Sequence, residues 1–267
     1  MTQSPVQLLP TAEIDDHRFA KVANSPKVIS VIYNYYRKAD TVLQSIQSIE
    51  HQVLEHCRAE DIEIILVDDG SEGENLLEVL PTSVVYVWQR KFGYGICRAK
   101  NTGARLANGK YLLFLDPDII LSRGFIASML SSFIDHGDNV AQTGYIYDYH
   151  FVGCPDPRVE FGVWEAPNRP TERFYQIAGG NLAIAKSLYL RTPGFDEDLI
   201  YGGVEDLLFG YHLSCIPGVR VLFNRQMESH HIPHPPGGAH ADVPRSWSIV
   251  KDKWRGFHDD YILKGLR

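Results

Sequence analysis

The 267-residue chain is 44% apolar, 11% aromatic and 22% charged, the balance of a globular protein rather than a disordered one. With 26 Lys and Arg against 33 Asp and Glu, the formal net charge of −7 speaks against affinity resting on the phosphate backbone of nucleic acid. Cys57, Cys97, Cys154 and Cys215 stand far apart with no CxxC pair, so they read as reduced thiols rather than a zinc ribbon or a disulfide scaffold.

Residues 1–26 hold Asp15, Asp16, Pro5, Pro10 and Pro26 but no apolar block of signal-peptide length. No later run approaches the roughly 20 apolar residues that span a bilayer. The expectation is a cytoplasmic protein without a transmembrane segment, with peripheral attachment to a membrane left open. From Lys27 the pattern becomes an alternation of apolar strands and amphipathic helices. KVISVI (27–32) is a β-branched run, and a helix follows over 39–56, where Val42, Ile46, Ile49 and Val53 recur at spacings of three and four. EIILV (63–67) ends in DDGS; VVYVW (84–88) leads to a helix over 96–107, closed by Asn108 and Gly109. YLLFL (111–115) runs directly into Asp116, Pro117 and Asp118. This alternation predicts an α/β fold, a Rossmann-like and mostly parallel central sheet with helices on both faces.

The second half is less regular. It holds a strand over 140–147, a Pro- and Gly-rich loop over 153–170, a GGN turn at Gly179 and a helix over 205–213. An exposed His-, Pro- and Gly-rich loop over 233–244 precedes an amphipathic helix over 247–263.

Ligands of a parallel α/β sheet bind beyond the carboxyl ends of its strands, so polar residues placed there carry the chemistry. Tyr33, Asn34, Tyr35 and Tyr36 follow the first strand, Asp68, Asp69, Gly70 and Ser71 the second, and Asp116 and Asp118 the fourth. Two carboxylates one residue apart in a stiff turn repel unless a cation neutralises them; an oxygen-rich site suits Mg²⁺ or Mn²⁺ with phosphate oxygens completing the shell. Asp and Pro are equally ordinary turn formers. In YGGVEDLLFGY, two glycines that allow close backbone approach precede Glu205 and Asp206, a candidate catalytic pair at a helix mouth; acids there also simply favour the helix dipole. QMESHHIPHPPGG supplies His230, His231 and His234, imidazoles fit for a mixed nitrogen and oxygen site or for a solvated loop. Arg90, Lys91, Arg98 and Lys100 stand where nucleotide phosphates could pass, and Arg98 and Lys100 equally suit solvated helix positions.

Taken in order, SVIYNYYRKADTVLQSIQSI, EIILVDDGS, RAKNTGARLANGKYLLFLDPD, AGGNLAIAKSLYLRTPGFDED, GGVEDLLFGY and a following His resemble the family 2 glycosyltransferases of GT-A fold. The GGxED segment resembles that of galactosyl- and N-acetylgalactosaminyltransferases. The resemblance runs from Lys27 to Gly238. It implies an N-terminal extension (1–26), a GT-A domain (27–245) divided into a nucleotide-binding half (27–120) and an acceptor and metal half (121–245), and a C-terminal helix (246–267). It implies that Asp69 bonds the uracil of a UDP-sugar above a floor of Tyr33, Asn34 and Tyr36. Asp118 would bind Mn²⁺ or Mg²⁺, Asp116 would contact ribose, sugar or metal, and His230 or His231 would be the second-half metal ligand. Gly179, Gly180 and Asn181 would shape the sugar and acceptor pocket, and Asp206 would deprotonate the acceptor hydroxyl, giving inversion. The partners would be a UDP-sugar donor and a glycan or other hydroxyl acceptor. Tyr33 or Asn34 replaces the proline usual at the end of the family's first strand. The QxxRW motif of processive synthases is absent, so one sugar is added per encounter.

Three other readings compete. A retaining GT-A transferase or a nucleotidylyltransferase would share the sheet and metal site without needing Asp206 as base. A catalytically idle module could bind sugar nucleotide or glycan. An NAD-dependent enzyme finds no GxGxxG after any strand. The aromatics from Tyr145 to Phe151 and Trp164 could stack on a glycan acceptor, although aromatic loops more often pack inward.

Overall fold

In the computed structural model the described residues are 17–20, 25–72, 76–148, 169–172, 174, 177–233 and 242–263. Cys154, His234, Trp164 and most of the two Pro- and Gly-rich loops lie outside them. The parallel heart of the fold is built from β2 (Lys27–Tyr35), β3 (Ile62–Asp68), β4 (Val84–Gln89) and β5 (Gly109–Leu115), in the order β4-β3-β2-β5. Their registers are parallel throughout, with Val31 beside both Ile64 and Leu113. These strands are apolar runs rather than alternating ones because helices cover both faces.

Helix α1 (Ala39–Glu50) buries Val42, Ile46 and Ile49 and stops before the expected Val53, which is exposed. A short α2 (Leu76–Val79) precedes β4. Helix α3 (Ile96–Leu106) lies close on the sheet because Gly103 lacks a side chain; a Cβ there would stand 2.2 Å from Ile32 Cγ2. Such an approach buries an unusual set of polar residues on α3, namely Lys100, Asn101 and Thr102.

Beyond β5 the sheet becomes mixed. β8 (Asn181–Ala185) joins β5 antiparallel, with Leu115 opposite Asn181. β7 (Val140–Asp148) pairs antiparallel with β8 and parallel with β9 (Arg220–His231), and β6 (Ile119–Leu121) closes that edge antiparallel to β9. At the opposite edge β1 (His17–Ala20) pairs antiparallel with β4, so part of the N-terminal extension belongs to the nine-stranded sheet.

Helix α4 (Phe125–His136) buries Phe125, Ile126, Met129, Leu130 and Phe133, and a short α5 (Lys186–Tyr189) follows β8. Helix α6 (Glu205–Ser214) carries the two acids at its first positions. The expected C-terminal helix is two, α7 (Val243–Lys253) and α8 (Arg255–Leu263), broken at Trp254. They are tied to the main body: Ser246 Oγ donates to the Gly202 carbonyl at 2.6 Å, Lys253 reaches Asp196 at 2.8 Å, Trp254 Nε1 donates to Asp196, and Phe257 is fully buried. Among the described residues no helix is long and apolar enough to cross a membrane.

Candidate active site

The carboxyl ends of β2, β3 and β5 open into one cavity of about 610 Å³. Its two ends differ in chemistry. At the first, Asp69 follows β3 and is almost fully buried. Its Oδ1 accepts from Gln89 Nε2 at 2.8 Å and its Oδ2 from Lys91 Nζ at 2.7 Å. That ammonium also stands 3.9 Å from the centre of the Tyr36 ring, a favourable cation–π distance. The start of α3 closes on this carboxylate: a Cβ on Gly95 would lie 2.2 Å from Asp69 Oδ1. The neighbouring Asp68 does not share this role, since Tyr86 Oη and the Ser71 amide bond its two oxygens at 2.6 and 2.8 Å.

At the other end stand the acids that follow β5. Asp116 Oδ1 accepts from Asn34 Nδ2 at 3.2 Å, and Asn34 Oδ1 is buried without a hydrogen-bond partner. Burial pushes the Asp116 carboxyl up; Lys100 opposes the rise, and the charges of Asp118 and Asp206 add to it. Gly180 packs against Asp116, where a Cβ would stand 3.2 Å from Oδ2. Asp118 is held by Lys38 Nζ and faces His231 Nε2 at 3.6 Å. Burial alone would raise its carboxyl, but the His231 ring and the Lys38 ammonium outweigh burial and hold it well below the usual carboxylate range.

β9 separates the two histidines, because successive strand residues face opposite sides. His231 pairs in register with Ile119, next to Asp118, whereas His230 turns to Ser122 Oγ at 3.4 Å and to the Tyr147 ring at 5.4 Å. His230 therefore does not join the carboxylates as the sequence allowed. Among the described residues no group of three or more His, Cys, Asp and Glu side chains converges as a preformed metal cluster. The Asp118 oxygen and the His231 nitrogen nevertheless form a mixed donor pair, and the Lys38 ammonium already bonds the same carboxylate at the cavity wall. This set fits a divalent ion that takes its remaining ligands from a diphosphate.

Near Asp116, whose carboxyl feels its charge, stands Asp206 at the start of α6. Its Oδ2 accepts from the Gly179 amide at 2.7 Å, while Oδ1 is buried, has no hydrogen-bond partner and lies 3.5 Å from Lys100 Nζ. Glu205 instead folds back to accept from the Gly203 amide at 2.5 Å, and burial with the Asp206 charge raises its carboxyl. The glycines before this pair serve the backbone rather than a ligand: Gly202 and Gly203 have φ of 69° and 93°, and a Cβ on Gly202 would meet the Tyr94 ring. Tyr94, which lines the cavity, was not singled out by any motif. Burial and the Asp116 charge push its phenol up to about 12.

Three expected residues sit elsewhere. Tyr33 is fully buried, with its hydroxyl 2.8 Å from Ser45 Oγ on α1, so it forms part of the core beneath the site. Arg98 is not among the cavity-lining residues, and its guanidinium donates to the Arg90 carbonyl at 3.4 Å. Lys100 is not a solvated helix charge: its side chain is 1% exposed.

Comparison with known proteins bears on the family and the fold. A family model described as glycosyl transferase family 2 matches residues 28–187, from β2 into α5. The chain belongs to glycosyl transferase family 2. Validoxylamine A glucosyltransferase of Streptomyces hygroscopicus subsp. jinggangensis is 24% identical over 243 residues, covering 78% of this chain and 56% of that protein. The chondroitin synthase of Escherichia coli is 28% identical over 192 residues, 57% of this chain and 28% of that one. The chain thus spans about half the length, or less, of these curated relatives. Among solved structures, a fragment of S. aureus TarS superposes with a TM-score of 0.60 at 17% identity, covering 77% of this chain and 60% of that one. GalNAc-T7 with UDP, GalNAc and Mn²⁺ superposes with a TM-score of 0.64 at 18% identity, covering 89% of this chain and 50% of that one. The fold of this family 2 member is GT-A.

Proposed function

We propose that this family 2 chain is an inverting, metal-dependent glycosyltransferase. It moves one sugar, of the galactose or N-acetylhexosamine type, from a UDP-sugar to a hydroxyl of a glycan or other acceptor. The observation that carries this reading is the placement of Asp69, Asp116 and Asp118 around one cavity with Asp206 held by Gly179 beside it. Each oxygen of Asp69 retains a lone pair beyond its bond to Gln89 or Lys91, enough to accept the imide N–H of uracil, and Tyr36 offers a face for the base. Asn34, with its unpartnered carbonyl oxygen, and Asp116 suit the ribose or sugar hydroxyls. Asp118 and His231 would hold the ion; when bound, it stabilises the charge that grows on the departing diphosphate. The solved neighbour that contains UDP, GalNAc and Mn²⁺ supports this donor and metal assignment.

Asp206 supplies the complementary half. Its carboxylate takes the proton from the acceptor hydroxyl as the hydroxyl oxygen attacks the anomeric carbon and UDP leaves from the opposite side. One displacement inverts the centre, so an α-linked donor yields a β-linked product. The experiment is UDP release from UDP-galactose and UDP-N-acetylgalactosamine with Mn²⁺, in the unsubstituted protein and in Asp206→Asn, with product anomer read by NMR. Loss of about 10²-fold or more in kcat and a β product are expected; turnover undiminished in Asp206→Asn, or retention at the anomeric carbon, overturns the base assignment.

A further inference from the structure

Lys100 is the charged group that the reading above leaves unused. An ammonium fully removed from water is strongly disfavoured unless charges and dipoles of opposite sign surround it. Here the surrounding groups are Asp206 at 3.5 Å, the Gly179 carbonyl at 3.3 Å and the Phe195 ring at 5.0 Å. The charges of Asp206, Asp116 and Glu205 together keep it protonated against its burial. Tyr94 and Cys97 also face this cluster.

Gly179 grips both charges at once. Its amide donates to Asp206 Oδ2 at 2.7 Å and its carbonyl accepts from Lys100. A Cβ on Gly179 would stand 2.0 Å from Asp206 Oδ1 and 2.4 Å from Lys100 Nζ, so a glycine is what lets the two side chains close on this peptide. The oxygen of Asp206 nearest Lys100 is the one without a hydrogen-bond partner. It is buried and faces the ammonium, so the charge sets the direction of the carboxylate.

We propose that Lys100 is a positioning residue: its buried ammonium, locked to the Gly179 carbonyl and facing the buried Oδ1, fixes the orientation in which the Asp206 carboxylate meets the acceptor hydroxyl. This rests on the assignment of Asp206 as base. Lys100 does not touch the reacting atoms, and its effect passes through Asp206. A displacement of the base by about 1 Å is enough to cost on the order of 10²-fold in rate.

The test compares Lys100→Met, Lys100→Arg, Asp206→Asn and the Lys100→Met/Asp206→Asn double variant, using UDP-N-acetylgalactosamine with Mn²⁺ and p-nitrophenyl glycosides as acceptors. Lys100→Met is expected to lower kcat by about 10-fold or more with the donor KM changed less than about two-fold, and Lys100→Arg to recover part of the loss. The double variant is expected to be no slower than Asp206→Asn alone, because groups acting as a unit are non-additive. A second readout is independent of turnover: the Gly179 amide resonance, whose proton is bonded to Asp206, is expected to move in Lys100→Met toward its position in Asp206→Asn. Multiplicative losses in the double variant, or a Gly179 amide that stays put in Lys100→Met, overturn the proposal. Should Lys100→Met alone not fold, folding of the double variant supports the charge partnership, and failure of both to fold shows that Lys100 is only a core residue. Full turnover in Asp206→Asn removes the base assignment by itself, and the amide resonance still reports whether Lys100 holds Asp206.

Discussion

Replacing Gly95 by alanine isolates the nucleotide end of the cavity. The backbone of Gly95, at φ −78° and ψ 21°, accepts any residue, so the cost arises from space alone. The new Cβ would lie 2.2 Å from Asp69 Oδ1 and 2.4 Å from both Cγ and Oδ2, and a carboxylate must retreat by roughly 1 Å to restore van der Waals separation. That retreat stretches the bonds from Gln89 at 2.8 Å and Lys91 at 2.7 Å. Hydrogen bonds to charged groups contribute about 1.5–3 kcal/mol each when made; Lys91 is one-third exposed, which places its bond at the low end. A net destabilisation of about 2–3 kcal/mol follows, or roughly 4–12 °C in Tm for a domain of this size. If Asp69 accepts the uracil imide, losing that charge-assisted bond weakens UDP by about 10- to 100-fold. The assay is calorimetric titration of UDP with Mn²⁺ into folded Gly95→Ala below its Tm. Gly124→Ala serves as control, since nothing lies within 4 Å of its Cβ. UDP affinity within two-fold of the unsubstituted protein would refute the reasoning and make Asp69 a structural partner of Gln89 and Lys91.

Three further outcomes are expected. His231→Ala removes the Mn²⁺-dependent part of the thermal stabilisation given by UDP, and His230→Ala leaves it within error; the reverse pattern would reinstate His230 as the ligand. Tyr33→Phe lowers stability to urea by about 1 kcal/mol, the contribution of one buried hydroxyl bond, and leaves UDP affinity unchanged, whereas a change beyond two-fold would return Tyr33 to the nucleotide pocket. Asp196 is held below the ordinary carboxylate value: burial opposes the shift, but the bonds from Lys253 and Trp254 exceed it. A depressed folded pKa gives stability that is complete above the unfolded value and is lost as pH falls through the folded one. Asp196→Asn therefore costs about 1–3 kcal/mol at neutral pH, and the difference narrows below the ordinary value of 3.8; a difference independent of pH down to 3 contradicts the ion pair's role in anchoring α7.

The parallel half of the sheet was legible because each of its strands is buried on both faces and reads as an apolar run, and each covering helix as a periodic stripe. β8 was not, since NLAIA is short and follows a GGN that reads as a turn; only its pairing with β5 makes it a strand. β1 is a four-residue strand for the same reason, and its partner is β4. The break between α7 and α8 is marked in the sequence only by Gly256, which lies inside the second helix. It falls at Trp254, whose indole is drawn to Asp196 far from it in sequence.

The site divides along the same line. Asp69, Asp116 and Asp118 follow the carboxyl ends of β3 and β5, so their convergence follows from the sheet rule, whereas Asp206 opens α6 and was singled out from Glu205 only through the family resemblance. The choice between His230 and His231 is a question of strand parity, and parity cannot be counted along β9. Between Thr143 and Tyr145 of β7 the partner advances from Phe223 to Glu228, a bulge that resets the register just before the histidines. Lys100 was misread for a different reason. A lysine in mid-helix is almost always solvated, and the carboxylates that make its burial tolerable arrive from the loop after β5 and from α6. What exposes it is the glycine-lined closeness of α3 to β2 at Gly103 and of Gly179 to Asp206. In both cases the glycine was visible in the sequence, but the atom it makes room for was not.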